Sequence, residues 1–399
     1  MKNTLKITTA VLAIALFSGA CNYLDTKPET NVKMEEAIEN ADDLVVATMG
    51  LYTAMRSTGY QGVALPVIND ITTDIVTKMY QSPSNGHYDS YEAWTFNDNS
   101  PEIASLWGIM YATIDRAQRN IIKGKELLST ANEQESKKIH ACLAQCYGVK
   151  SLTLFNLVNV FALPYNPATA SEEFSGVPNI DEKIIEYTDK VERASVEKNY
   201  QQILGDLEKA KQEWDLAGNF SVTSIIQYEW MIMNKVAVSA VEARVRLYKQ
   251  DYEGAKIAAQ NVLDIKPGAK KMVYTESDYK NMWSTNVPNS EDIFTLGMNV
   301  NENQGTTSIG QFYGPSDGGD ANPTYGGRLS PLAHAKIKEK TKDIRWSIIE
   351  RDSLLHKRKK CLRVAKYNGD QNGKVSNIPV IRLPEIYLIL AECENELGN

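Results

Sequence analysis

The chain has 399 residues, 43% of them hydrophobic and 23% charged, enough to bury a large core and too apolar for intrinsic disorder. Its net charge of −7, with Lys and Arg dispersed among the acids, argues against a nucleic-acid binder, which concentrates positive charge on one face. A body of this size has no need of disulfide staples, so its five cysteines are not read as a framework.

The first stretch is a basic end, an apolar run over residues 7–17, and the small residues Ser18, Gly19 and Ala20 before Cys21. That order describes a secretory signal, and the apolar run is too short to span a bilayer, which needs roughly 20 residues. Small residues followed by a cysteine resemble a bacterial lipobox, in which Cys21 is acylated and becomes the new N-terminus; the alternative is an ordinary signal with a coincidental cysteine. Residues 1–20 are therefore read as a lipoprotein signal peptide, 21–34 as a lipidated tether, and 35–399 as a single, mostly α domain. Several acyl chains, at about 0.8 kcal/mol per buried methylene, would hold that body to a membrane.

Helical spacing runs over residues 35–55. Asp70 and Asp74 lie four apart and read as a solvated face or a local hydrogen-bonding pair, not as catalytic carboxylates. Residues 80–101 mix Pro, Gly, Ser and Asn with Tyr80, Tyr88, Tyr91, Trp94 and Phe96, a loop able to present flat apolar faces. Packing against neighbouring helices is the plainer role for the same rings.

Long helices follow. Ser100-Pro101-Glu102 is a helix start, and Trp107, Met110, Tyr111, Ile114, Ala117 and Ile121 form one stripe. After a polar break, residues 139–161 are the most apolar run of the mature chain, a central buried helix that Pro164 stops. Cys142 and Cys146 inside it suit buried small hydrophobes better than a bridge or a metal site. Residues 164–198 are loop-like; helical spacing returns at Tyr200, over 230–248 and over 252–263. Lys249-Gln250-Asp251 joins the last two as a helix-turn-helix unit of tetratricopeptide type, so stacked helical hairpins are the expected architecture.

Residues 267–327 are mixed and Gly-rich, with Trp283, Phe312, Tyr313 and Tyr325 among the turns. This stretch lacks the pattern of a phosphate-binding loop, a dinucleotide fingerprint or a calcium loop, and reads as binding surface. Residues 343–349 form a short helical piece, and a final helix over 386–397 ends at Gly398. The four histidines have no metal-ligand spacing and no Gly-x-Ser-x-Gly elbow is present, so neither a metal, a cofactor nor an enzyme activity is expected.

Taken together, several blocks resemble the SusD/RagB family of nutrient-binding outer-membrane lipoproteins. They are Cys21, Leu24-Asp25 and Pro28; Asn69-Asp70 with Asp74; Trp107, Tyr111, Ile114, Ala117 and Asn120; and the run from Tyr147 to Phe161, Pro164 and Tyr165, with Ala162 where glycine is usual. Tyr200, Ile203, Asp206-Leu207 and Ala210 continue it, then Leu247-Tyr248, Asp251-Tyr252 and Ala255, Ser290 to Phe294, Asp343-Ile344-Arg345, and Ile381 to Leu388. The resemblance departs at Asn399, where the family continues with another helix; the domain is expected to be C-terminally shortened, with part of the last helix's apolar face uncovered.

The resemblance implies a SusD-like fold, helical hairpins with long irregular ligand-binding loops. It implies capture of a glycan or oligosaccharide, or a peptide as in RagB-like members, by a lipid-anchored protein on the outer-membrane surface. It also implies a SusC-like TonB-dependent receptor over which the protein acts as a lid, with no chemistry of its own. A helical-repeat scaffold without a small ligand and a surface hydrolase are the alternatives. Trp94 with Asn97 is the first ligand-binding pair to consider, since family ligand aromatics lie in the loop before the Trp107–Tyr111 helix. Trp283, Tyr313 and Tyr325 come second, and Tyr80 third.

Overall fold

Twelve helices and six short strands occur among the described residues of this computed structural model, which are 37–78, 88–181, 183–185, 188–220, 228–265, 271–284, 286, 289–313, 327–338, 342–356, 359–369 and 373–398. Capping side chains set most helix starts. The Asn40 carboxamide accepts the N–H groups of Asp42 and Asp43, so α1 (Ala41–Met55) begins later than the apolar spacing from residue 35 predicts. Next come α2 (Ala64–Thr72), β1 (Val76–Lys78) and the single-turn α3 (Asp89–Glu92). Helix α4 (Pro101–Leu127) starts where the proline predicts, with Met110, Ile114, Ala117 and Ile121 buried. Ser100 occupies the cap position without capping; its hydroxyl instead accepts the Asn97 N–H at 3.1 Å.

A reciprocal capping box between Asn132 and Glu135 starts α5 (Glu133–Phe161), which is buried on nearly every side from Ile139 to Val158. Its end at Ala162 precedes Leu163-Pro164, where a helical conformation is disfavoured. Cys142 and Cys146 are buried free thiols pushed up to about 12 by burial, which leaves them as inert small hydrophobes. Helix α6 (Val196–Ala217) is capped by Ser195. Helices α7 (Lys235–Tyr248) and α8 (Tyr252–Asp264) form the expected hairpin across residues 249–251, with Asp251 capping α8. A 3-10 turn over Glu229–Met231 and the Asn234 cap delay α7 beyond the start its spacing suggests.

The remaining elements are α9 (Glu276–Ser284), β2 (Asp292–Leu296), α10 (Ile309–Tyr313), β3 (Gly327–Leu329), α11 (Pro331–Lys338), β4 (Ile349–His356), β5 (Lys359–Val364), β6 (Ile378–Arg382) and α12 (Leu383–Glu396). The stretch 343–349 is a 3-10 turn over Ile344–Ile348 that runs into β4. Three antiparallel strand pairs form, β1 with β3, β2 with β6 and β4 with β5.

Helix α5 packs between α4 and α6, with α1 against both α4 and α5. The α7–α8 hairpin carries α12 on its far side. Small residues allow close approach: a Cβ built on Gly148 of α5 would fall 2.3 Å from Met233 Cγ. One large apolar core runs from α1 to α12, and a smaller one gathers Tyr279, Trp283, Ile348 and Ala365. On α12, Ile386, Ile389 and Cys393 face the core while Leu388 is 69% exposed beside a half-exposed Tyr387. No helix among the described residues is long and apolar enough to cross a membrane.

Candidate functional site

Two left-handed residues bracket α3: Tyr88 with φ of 63° before it and Trp94 with φ of 53° after it. The Trp94 N–H bonds the Tyr91 carbonyl at 3.2 Å and the Thr95 N–H bonds the Ser90 carbonyl at 2.8 Å. These two bonds close a Schellman helix end, whose left-handed position is normally glycine. A tryptophan there costs about 1–2 kcal/mol in backbone strain, and the residue is 63% exposed. Strain of this kind persists where surrounding contacts over-determine the conformation, and it concentrates at functional sites.

Asn97 lies three residues on, exposed on the same loop. Its carboxamide oxygen accepts the Asn99 N–H at 2.9 Å, and its own N–H and carbonyl both bond Ser100. The loop is thereby tied to the first turn of α4, and among the described residues no acceptor takes the Asn97 NH2.

Behind Trp94 the rings continue inward. Phe96 lies 6.0 Å from Trp94 and stacks on Tyr91 at 5.1 Å; Tyr88 links Tyr91 to Phe312, and Phe312 meets Tyr313. Tyr313 stacks on Tyr367 at 5.7 Å, and Tyr367 meets Trp283 edge-on at 5.8 Å. The structure thus joins three of the sequence candidates in one ladder of rings, and of these three only Trp94 is exposed. Tyr313 and Trp283 are buried members of the support, because the helix and strand elements around them close over both rings. Tyr80, Tyr325 and Cys21 lie outside the described residues.

Polar groups pin this ladder. The Tyr313 hydroxyl donates to the Asp70 carboxylate, so Asp70 forms a long-range tie between α2 and α10 instead of a solvated face. Burial pushes the Asp70 carboxyl up, against the opposing pull of Tyr313 and Lys366. Tyr313 is held well above its ordinary range by burial and by the Asp70 charge, so it stays a neutral donor. The Lys366 ammonium sits 5.1 Å from the Trp283 ring centroid, and burial together with the nearby Arg382 charge brings it down to about 8. Arg382 lies on the same ring at 5.0 Å and is neutralised by Glu291 at 2.8 Å.

Sequence reasoning allows Tyr88, Tyr91 and Phe96 a packing role, but not that Phe96, stacked on Tyr91, packs beside Trp94. Their clustering in residues 88–96 was the available signal, but which ring faces outward depends on the left-handed turn. What results is an exposed tryptophan and an exposed asparagine on one hydrogen-bonded loop. No cluster of three or more metal-ligating side chains occurs among the described residues.

Residues 22–248 match the profile of a SusD-like family described as starch-binding and associating with the outer membrane. Among curated proteins, no relative matches significantly. The fold is similar to that of a SusD superfamily protein from Bacteroides thetaiotaomicron VPI-5482, at 24% identity and a TM-score of 0.77, over 90% of this chain and 77% of that one. It is also similar to a SusD-like carbohydrate-binding protein from Bacteroides vulgatus ATCC 8482, at 16% identity and a TM-score of 0.70, over 90% and 72% of the two chains. A laminarin-binding SusD-like protein matches at 18% identity and a TM-score of 0.66, over 89% of this chain and 80% of its own. With more than half its length matched to the profile and its helical hairpins shared with these structures, the chain belongs to the SusD/RagB family.

Proposed function

We propose that this protein captures oligosaccharides at the outer-membrane surface through the Trp94 loop and delivers them, unaltered, to a SusC-like TonB-dependent receptor. The observation that carries this reading is Trp94 itself, a mostly exposed residue in a left-handed backbone conformation closed by two helix-end hydrogen bonds, with Phe96 beside its ring. Stacking the C–H face of a pyranose on that ring removes apolar surface from water, and the Asn97 NH2 reaches hydroxyls at the sugar edge. A loop whose backbone is hydrogen-bonded before the ligand arrives loses little further backbone freedom on binding. The family profile and the laminarin-binding neighbour support a saccharide over a peptide. Acylation of Cys21 would tether the body beside its receptor, making each encounter effectively intramolecular.

Affinity electrophoresis through gels containing laminarin or starch tests the reading. The wild type is retarded in at least one of them, and Trp94→Ala runs freely with an unchanged circular dichroism spectrum. Equal retardation of the two proteins removes Trp94 from the site. Absence of retardation in either polysaccharide, with binding to the receptor retained, favours a scaffold.

A further inference from the structure

A cleft of about 760 Å³ opens where the C-terminal end of α5 meets α6, α7, β6 and the first turn of α12. Neither Trp94 nor Asn97 lines it. Its volume falls within the range of ligand sites, and its floor carries unused hydrogen-bonding capacity. Tyr200 is 1% exposed and lines the cleft, yet among the described residues no group bonds its hydroxyl. Asn156, 7% exposed, donates its NH2 to the Tyr60 hydroxyl at 2.8 Å; this orients the carboxamide and leaves its oxygen as an acceptor. Arg244 uses Nε and Nη2 on the Glu385 carboxylate and Nη2 again on the Val380 carbonyl, and among the described residues no acceptor takes Nη1. Tyr200, Asn156 and Arg244 thus all line one cleft, with Asn69 and Asn159 also on its lining. Above them Tyr248 is 53% exposed while its ring packs perpendicular to Phe155 at 5.3 Å, so it is braced on one side and open on the other.

This set of groups selects a ligand class. The ionic side chains in the lining are Arg244 and Glu385, and they neutralise each other, so neither an anionic nor a cationic ligand finds a counter-charge. The edge of β6 that lines the cleft is closed to strand addition, because Pro379 has no N–H and the Val380 carbonyl is already bonded to Arg244. What remains is a neutral molecule rich in paired donors and acceptors, with an apolar face for Tyr248. We propose that this cleft is a second saccharide-binding site, taking a short neutral oligosaccharide on the Tyr248 ring with its hydroxyls on Asn156, Tyr200 and Arg244. It takes its ligand class from the reading above and uses none of the Trp94 loop.

Isothermal titration with laminarihexaose and maltohexaose, on the wild type and the variants Trp94→Ala, Tyr248→Ala and Tyr200→Phe, tests it. The expected result is two sites per wild-type chain with at least one of the sugars, and one site in Tyr248→Ala. Tyr200→Phe keeps the ring packing and removes only the hydroxyl, so it weakens the cleft site about 3- to 10-fold and leaves the other unchanged. One site in the wild type, unaffected by either tyrosine substitution, overturns the proposal, and so does the absence of binding by both sugars. Loss of all binding in Tyr248→Ala with none in Trp94→Ala upholds the cleft and overturns the Trp94 reading instead. The reverse pattern does the opposite.

Discussion

Replacing Trp94 by glycine and, separately, by alanine sets the backbone and the ring at this position against each other. Alanine keeps the left-handed strain that Trp94 bears at φ of 53°, whereas glycine releases it. Strain relief of about 1–2 kcal/mol, less roughly 0.5–1 kcal/mol for the greater freedom of glycine in the unfolded chain, leaves the glycine variant about 1 kcal/mol more stable than the alanine variant. Both lose the ring contact with Phe96 at 6.0 Å, so that term cancels between them. For binding, a tryptophan side chain can bury up to about 250 Å². With 63% of it open, one ring face covers roughly 75 Å², or about 2 kcal/mol and about 30-fold in Kd. Urea denaturation and titration with laminarihexaose measure the two effects. The glycine variant is expected to be the more stable of the two and to bind as poorly as the alanine variant. If glycine were less stable than alanine, the left-handed strain would not be the controlling feature of this turn. If either variant bound like the wild type, the ring would not be the platform.

Three further outcomes follow from the packing and the charges. Lys366, brought down to about 8 from an unfolded value of 10.5, binds fewer protons in the folded state than in the unfolded chain between those values. The Lys366 contribution to stability therefore rises with pH from 8 to 10, while the buried Cys142 and Cys146 thiols, held above their unfolded value, work in the opposite sense above pH 9. Lys366→Met removes only the first, so its melting temperature falls further between pH 8 and 9.5 than that of the wild type. Glu385→Gln leaves the largely buried Arg244 guanidinium without its counter-ion and is expected to cost about 2–4 kcal/mol in urea denaturation. Asn132→Ala removes one half of the capping box of α5 and is expected to cost about 1 kcal/mol, a loss that Asn132→Ser largely avoids.

The helical scaffold was legible because its signals are local. Pro101, the apolar stripe of α4, the uninterrupted run of α5 and the residues 249–251 turn each depend on neighbours a few positions away, and the structure places helices on them. Capping was read less well. Asn40 and Asn234 shorten helices that apolar spacing alone extends, and Ser100 turns its hydroxyl to Asn97 because the loop before α4 folds back on it.

The strands and the site needed the tertiary structure. β2 pairs with β6, so Asp292 faces Arg382, a partner that no local pattern in residues 292–296 identifies. Among the aromatic candidates, loop composition points to several rings and the family resemblance ranks Trp94 first, but neither says which ring is exposed. Trp94 and Tyr313 both sit among turn-forming residues, yet a left-handed backbone turns one toward solvent while the hydroxyl of the other is drawn inward to Asp70. Burial of a ring is decided by what the rest of the chain brings against it, and here that is Asp70 and Tyr367, far from Tyr313 in sequence. The chain's own order of residues determined its family and its helices; the packed fold decided that Trp94 is exposed while Tyr313 and Trp283 are buried.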